Sequence, residues 1–139
     1  MAFLASLPLT ILPFLVYNVL ALFGGPGLSF QSEMFSVPMV SGARFAMTFA
    51  DLLVASALIL LFFEILKATK IGKAALIDHI LSVLVFVAYL VEFLIVPQAA
   101  TSLFFILMVV SLVDVIAGFS ISITGARRDV TFGPGEGHY

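Results

Sequence analysis

Hydrophobic residues in this chain fall into four long blocks separated by short polar or turn-forming segments. The first block runs from Phe3 to Phe23 and stops at Gly24, Gly25, Pro26 and Gly27, a cluster that ends helices and forms turns. The second runs from Phe45 to Leu66, the third from Ile77 to Pro97 and the fourth from Ser102 to Thr124. Roughly 20 apolar residues carry a helix across a bilayer, so each block is long enough to span. Pro97, which lacks an N–H, is a natural stop for the third. The pattern predicts an all-α integral membrane protein whose four transmembrane helices form a compact antiparallel bundle. That bundle is one domain over residues 1–128, with an outer loop over 24–43. The Gly-rich end, residues 129–139, reads as a flexible tail.

Composition sharpens this picture. The chain has 139 residues, of which 63% are hydrophobic and 10% charged, against about 25% charged in soluble domains. Without cysteine there is no disulfide framework, thiolate metal site or thiol relay. A net charge of −2 provides no basic surface for nucleic acid, whose binding rests on clustered Lys and Arg.

The basic residues set an expected orientation. Lys67, Lys70 and Lys73 lie between the second and third blocks and Arg127 and Arg128 follow the fourth, leaving only Arg44 in the opposite connections. The positive-inside rule then places both termini in the cytoplasm, as in a bacterial inner membrane. The loop over 24–43 faces the other side, and its Phe30, Met34, Phe35, Val37 and Met39 suit an interface or a cap over the bundle better than free solvent.

Acids inside spans are costly and normally face protein or water. At 1.5 Å per residue, Asp51 is expected about 9 Å below the outer end of the second span. Glu92 and Asn18 fall at similar depth in the third and first, and Asp114 lies near the middle of the fourth. Glu64 has Lys67 three residues on and the headgroup region in reach. Helical spacing groups Arg44, Thr48, Asp51 and Ala55 on one face, Asp78, Ser82, Tyr89 and Glu92 on another, and Ser111, Asp114, Gly118, Ser122 and Gly125 on a third. Small and polar stripes of this kind mark faces where membrane helices pack, and Ser111, Gly118, Ser122 and Gly125 offer such a face.

Two readings of the acids follow. In one, Asp51, Glu92, Asn18, Tyr17, Tyr89 and Thr48 form a hydrogen-bonded plug that fixes helix register. In the other, Asp51, Glu92 and Asp114 bind or relay a proton or cation that enters near Arg44, with Tyr17, Asn18, Thr48 and Tyr89 as supporting polar groups. Pro8 and Pro13 kink the first helix or open a backbone carbonyl to a partner.

Enzyme chemistry finds no support. Asp51 and Asp114 differ in depth by roughly 9 Å, too far to share one proton as a protease dyad does. No H-E-x-x-H, G-x-S-x-G or phosphate-binding loop is present, and no metal or other cofactor is expected. A haem shared between copies through His79 is disfavoured, because His79 sits at the inner edge beside Asp78. The expectation is a structural or accessory subunit of a membrane complex or homo-oligomer, partnered by lipid and another integral membrane protein or itself. The alternative is a small proton- or cation-coupled transporter or channel.

Overall fold

The computed structural model describes residues 6–27, 29–69 and 73–131. In chain order the elements are α1 (Ile11–Phe23), β1 (Glu33–Pro38), β2 (Arg44–Thr48), α2 (Phe49–Ala68), α3 (Lys73–Ile95), a 3-10 turn (Pro97–Ala99) and α4 (Ser102–Thr131). Three segments, Phe49–Ala68, Ala75–Ile95 and Ser102–Thr124, are long and apolar enough to cross a membrane, and α1 is a shorter apolar helix of 13 residues. The chain is therefore read as an integral membrane protein.

α4 is the axis of the fold, packed along both α2 and α3. Its Leu103, Phe104, Leu107, Met108, Val110, Ser111 and Asp114 are buried, facing Leu53, Ala57 and Leu61 of α2 and Val85 and Tyr89 of α3. The outward faces carry Leu58, Ile59, Phe62, Phe63, Leu84, Val91 and Ile116, all exposed. A bundle with polar groups inside and large aliphatic residues outside is built for lipid as solvent.

The first span differs from the sequence expectation. Ser6 is helical, Leu7–Thr10 are not, and helix resumes only at Ile11. Pro8 has no N–H to give and restricts the residue before it. Pro13 falls in the first turn of α1, where a missing N–H costs nothing. Turn bonds from Ile11 N–H to the Pro8 carbonyl (3.1 Å) and from Leu12 N–H to the Leu9 carbonyl (3.0 Å) bridge the interruption.

The loop expected over 24–43 contains a β-hairpin, and that corrects the start of the second span. β1 and β2 pair antiparallel, with Phe35 opposite Met47, Ser36 opposite Ala46, Val37 opposite Phe45 and Pro38 opposite Arg44. Gly42, at φ +86°, closes the tip, where its N–H bonds the Met39 carbonyl (2.9 Å) and Met39 N–H bonds Ala43 (2.8 Å). A turn followed by a left-handed glycine is a common three-residue hairpin link. Residues 45–48 are thus strand, and α2 begins at Phe49. Its first amides are satisfied by the Ser32 and Phe30 carbonyls, at 3.0 and 2.8 Å.

At the other end, α4 continues to Thr131, into the segment expected to be tail. Residues 132–139 of that expected tail lie outside the described residues.

Candidate functional site

The interruption of the first helix leaves backbone groups that helix geometry would have paired, and in a membrane such groups need protein partners. The Leu9 amide and the Leu7 carbonyl are met by side chains of α2, and side chains of α3 and α4 bond Thr10, where the helix restarts. Leu9 N–H donates to Glu64 Oε2 of α2 at 2.8 Å. The Leu7 carbonyl accepts from Lys67 Nζ of α2 at 3.1 Å, and Lys67 also contacts both Glu64 oxygens at 3.3 Å. The Thr10 carbonyl accepts from Tyr89 Oη of α3 at 3.0 Å. Thr10 Oγ1 in turn donates to Asp114 Oδ2 of α4 at 3.3 Å, and Ser82 of α3 hydrogen-bonds the same carboxyl.

Most polar groups of this cluster are buried. Glu64 is 3% exposed, Asp114 4%, Thr10 1% and Ser82 4%. Ser111, one turn before Asp114 on the same buried face of α4, is fully buried, and its hydroxyl has no hydrogen-bond partner among the described residues. Asp78, one turn from Ser82 on α3 towards the lysine-bearing end, has a buried Oδ1 that likewise meets no partner among the described residues. Towards the hairpin end the rings of Phe14, Tyr89 and Phe104 pack together, with centroids 4.9, 5.3 and 6.3 Å apart. Among the described residues no group of three or more His, Cys, Asp or Glu could hold a metal ion.

The polar layer expected from depth resolves into separate contacts. Asn18 does meet Glu92, donating from Nδ2 to Oε2 at 3.2 Å, while also bonding the Phe14 carbonyl at 2.9 Å. Tyr17 turns to the α3–α4 connection, bonding the Gln98 carbonyl (2.7 Å) and Thr101 Oγ1 (2.8 Å). Tyr89 sits one turn deeper, on the helix break.

Asp51 is not a deep acid. It is exposed in the first turn of α2 and forms a capping box with Thr48: Thr48 N–H and Oγ1 donate to Asp51 Oδ2 at 3.0 and 2.9 Å, and Asp51 N–H donates back to Thr48 Oγ1 at 3.2 Å. Arg44 likewise is not on a helix. It lies on the hairpin and donates to Ser36 Oγ and Glu33 Oε1. The shared helical face proposed for Arg44, Thr48, Asp51 and Ala55 does not exist, because α2 starts after the first two. The buried face is instead Ala50, Leu53, Ala57, Leu61 and Glu64.

Ser111, Gly118 and Ser122 of the small-residue stripe of α4 face the bundle of this chain. Ser111 and Gly118 are buried, and Gly118 accepts the His79 ring of α3, which stacks on Phe119 (4.8 Å) and bonds Ser122 Oγ through Nε2 (2.9 Å). The surroundings of Gly125 lie outside the described residues.

Glu64 is the residue that sequence reasoning undervalued. A carboxylate near a helix end with Lys three residues on reads as reaching for the headgroups. The available signal was Pro8: a break at that depth requires polar partners, and Glu64 and Lys67 are the pair at the matching end of the second span.

The hairpin is the other distinctive feature. Phe35, Val37, Phe45 and Met47 share one face by register, and the Phe35 and Phe45 rings lie 6.4 Å apart. The opposite face carries Ser36, Pro38, Arg44 and Ala46, with Arg44 paired to Glu33. Phe35, Val37 and Phe45 remain exposed, as do Met39 and Val40 at the tip. Comparison of the chain with protein-family models, curated proteins and solved structures finds no match.

Proposed function

We propose that this chain is a structural or accessory subunit of a membrane protein complex, and that the β-hairpin is its contact with the partner. The observation that carries this reading is the uncovered apolar face of Phe35, Val37 and Phe45, continued by Met39 and Val40 at the tip. A two-stranded hairpin is marginal on its own in water, and exposed apolar patches with a polar border mark interaction sites. Here the border is neutralised by its own Arg44–Glu33 pair, so the unsatisfied surface is the apolar one. The positive-inside rule supports a cytoplasmic position for Lys67, Lys73 and Arg127 and for both termini, as in a bacterial inner membrane. The hairpin then projects on the opposite side.

The test is site-specific photocrosslinking in native membranes. Benzophenone side chains at Val37 and Phe45 are expected to capture a discrete protein, and one at Ala46, on the opposite face, is not. Adducts with lipid alone, or equal capture from both faces, would overturn the reading. Mixing two differently tagged copies identifies a homo-oligomer.

A proton- or cation-coupled transporter is the competing reading, and one observation favours it: Asp114 is buried in the bundle with polar neighbours. Against it, Asp51 is occupied as a helix cap, and the Phe14, Tyr89 and Phe104 rings pack together on the hairpin side of Asp114. Loss of an ion flux in liposomes on Asp114→Asn, with assembly intact, would decide for transport.

A further inference from the structure

We propose that the buried cluster at the helix break is a binding site for one proton, held on Asp114 and reached from the lysine-bearing end of the bundle. The inference stands independently of the hairpin reading and begins with the donors. An ammonium has three N–H groups, and those of Lys67 are directed at the Leu7 carbonyl and the two Glu64 oxygens. That pair is balanced, and no donor of Lys67 is left for Asp114. Among the described residues Asp114 forms no salt bridge; its partners are the hydroxyls of Thr10 and Ser82.

The other described cations of the packed elements are placed too far away or are already engaged. On α3, Lys73 lies about 14 Å along the axis from Ser82, and on α4, Arg127 lies about 20 Å from Asp114. His79 of α3 is bonded to Ser122. The Tyr89 hydroxyl is given to Thr10. With Glu64 and Asp114 both ionised, Lys67 balances only Glu64, and Asp78 of α3 brings a further carboxyl to this region rather than a cation. A proton on Asp114 removes a buried negative charge that no described cation pairs with.

The second observation is the Ser111 hydroxyl. It is fully buried, lacks a partner among the described residues, and shares the buried face of α4 with Asp114 one turn away. A carboxylate is stabilised by the hydrogen bonds it accepts. Ser111 gives it none, which leaves the ionised form of Asp114 with only the hydroxyls of Thr10 and Ser82. Asp78, whose buried Oδ1 meets no described partner, and then Ser82 lead from the lysine-bearing end to Asp114. The Phe14, Tyr89 and Phe104 rings close the other direction.

Infrared spectroscopy of the full chain in lipid nanodiscs tests this. At neutral pH the wild type is expected to show the carbonyl band of a neutral carboxylic acid, and Asp114→Asn to lose it while Glu92→Gln keeps it. A wild-type spectrum without the band, or a band unchanged in Asp114→Asn, would overturn the proposal. So would a band present in choline buffer and absent in sodium buffer, which would make a metal cation the occupant. Should Asp114→Asn fail to fold, the wild type still answers through dicyclohexylcarbodiimide, which adds to protonated carboxyls in apolar surroundings. Adducts mapped to Asp114 by mass spectrometry, declining as pH rises, support the site; adducts only at Glu64 or Glu92, or none, refute it.

Discussion

The imidazole of His79 occupies the place where a side chain at position 118 would stand. A Cβ on Gly118 would clash with His79 Cε1 and lie 2.7 Å from Nδ1, while the same ring stacks on Phe119 and bonds Ser122. The absence of a side chain at one position of α4 thus locks α3 against it.

Gly118→Leu should therefore weaken the bundle itself. Overpacking of a tight contact costs about 1–3 kcal/mol, and the loss should appear as a lower thermal unfolding midpoint by circular dichroism in detergent. The pair His79→Ala with Gly118→Leu should recover part of it, since the clashing ring is gone. Equal losses in the single and double variants would show that the notch does not limit packing.

Lys67→Met should be among the most damaging single changes. It leaves Glu64 buried with only the Leu9 amide, and breaking one side of a buried ion pair costs about 3–5 kcal/mol. Adding Glu64→Gln removes the stranded charge, so the double variant should be more stable than Lys67→Met alone. A double-mutant cycle from denaturation midpoints measures this coupling.

Tyr89→Phe keeps the ring among Phe14 and Phe104 and removes the hydroxyl, which bonds the Thr10 carbonyl and meets the Phe14 amide. Losing a hydrogen bond of this kind costs about 0.5–1.5 kcal/mol. Amide exchange should accelerate first in residues 9–12, where the helix restarts. Acceleration spread evenly over the bundle would place the effect elsewhere.

Asp51→Leu separates two views of that acid. A deep unpaired carboxylate would make the substitution stabilising. As a capping-box partner, Asp51 holds the Thr48 amide and hydroxyl, so the change should speed exchange of the Thr48 amide and leave the Asp114 region untouched. Increased protection at Thr48 would contradict the capping geometry.

How far the site was legible depended on the kind of signal. Helical periodicity placed Ser82 and Tyr89, and Ser111, Asp114 and Gly118, on common faces, and each of them is buried. Depth counting paired Asn18 with Glu92, and they do bond. The same counting failed for Asp51, because it took Phe45 as the start of a helix. The alternation of Phe35 and Val37, then Phe45 and Met47, around Ser41–Gly42 carried the strand signal, but apolar content alone does not distinguish a strand from a helix end.

Local chemistry by itself determined that lipid is the solvent, where the long apolar helices run, and that Pro8 disturbs the first of them. These follow from hydropathy and from a missing N–H, which need no neighbour. Tertiary structure decided who repairs the break. The amide of Leu9, the carbonyls of Leu7 and Thr10 and the hydroxyl of Thr10 find Glu64, Lys67, Tyr89 and Asp114 from 55 to 104 residues away. A hydrogen bond across such separations depends on helix rotation and depth together, and only the packed bundle sets both.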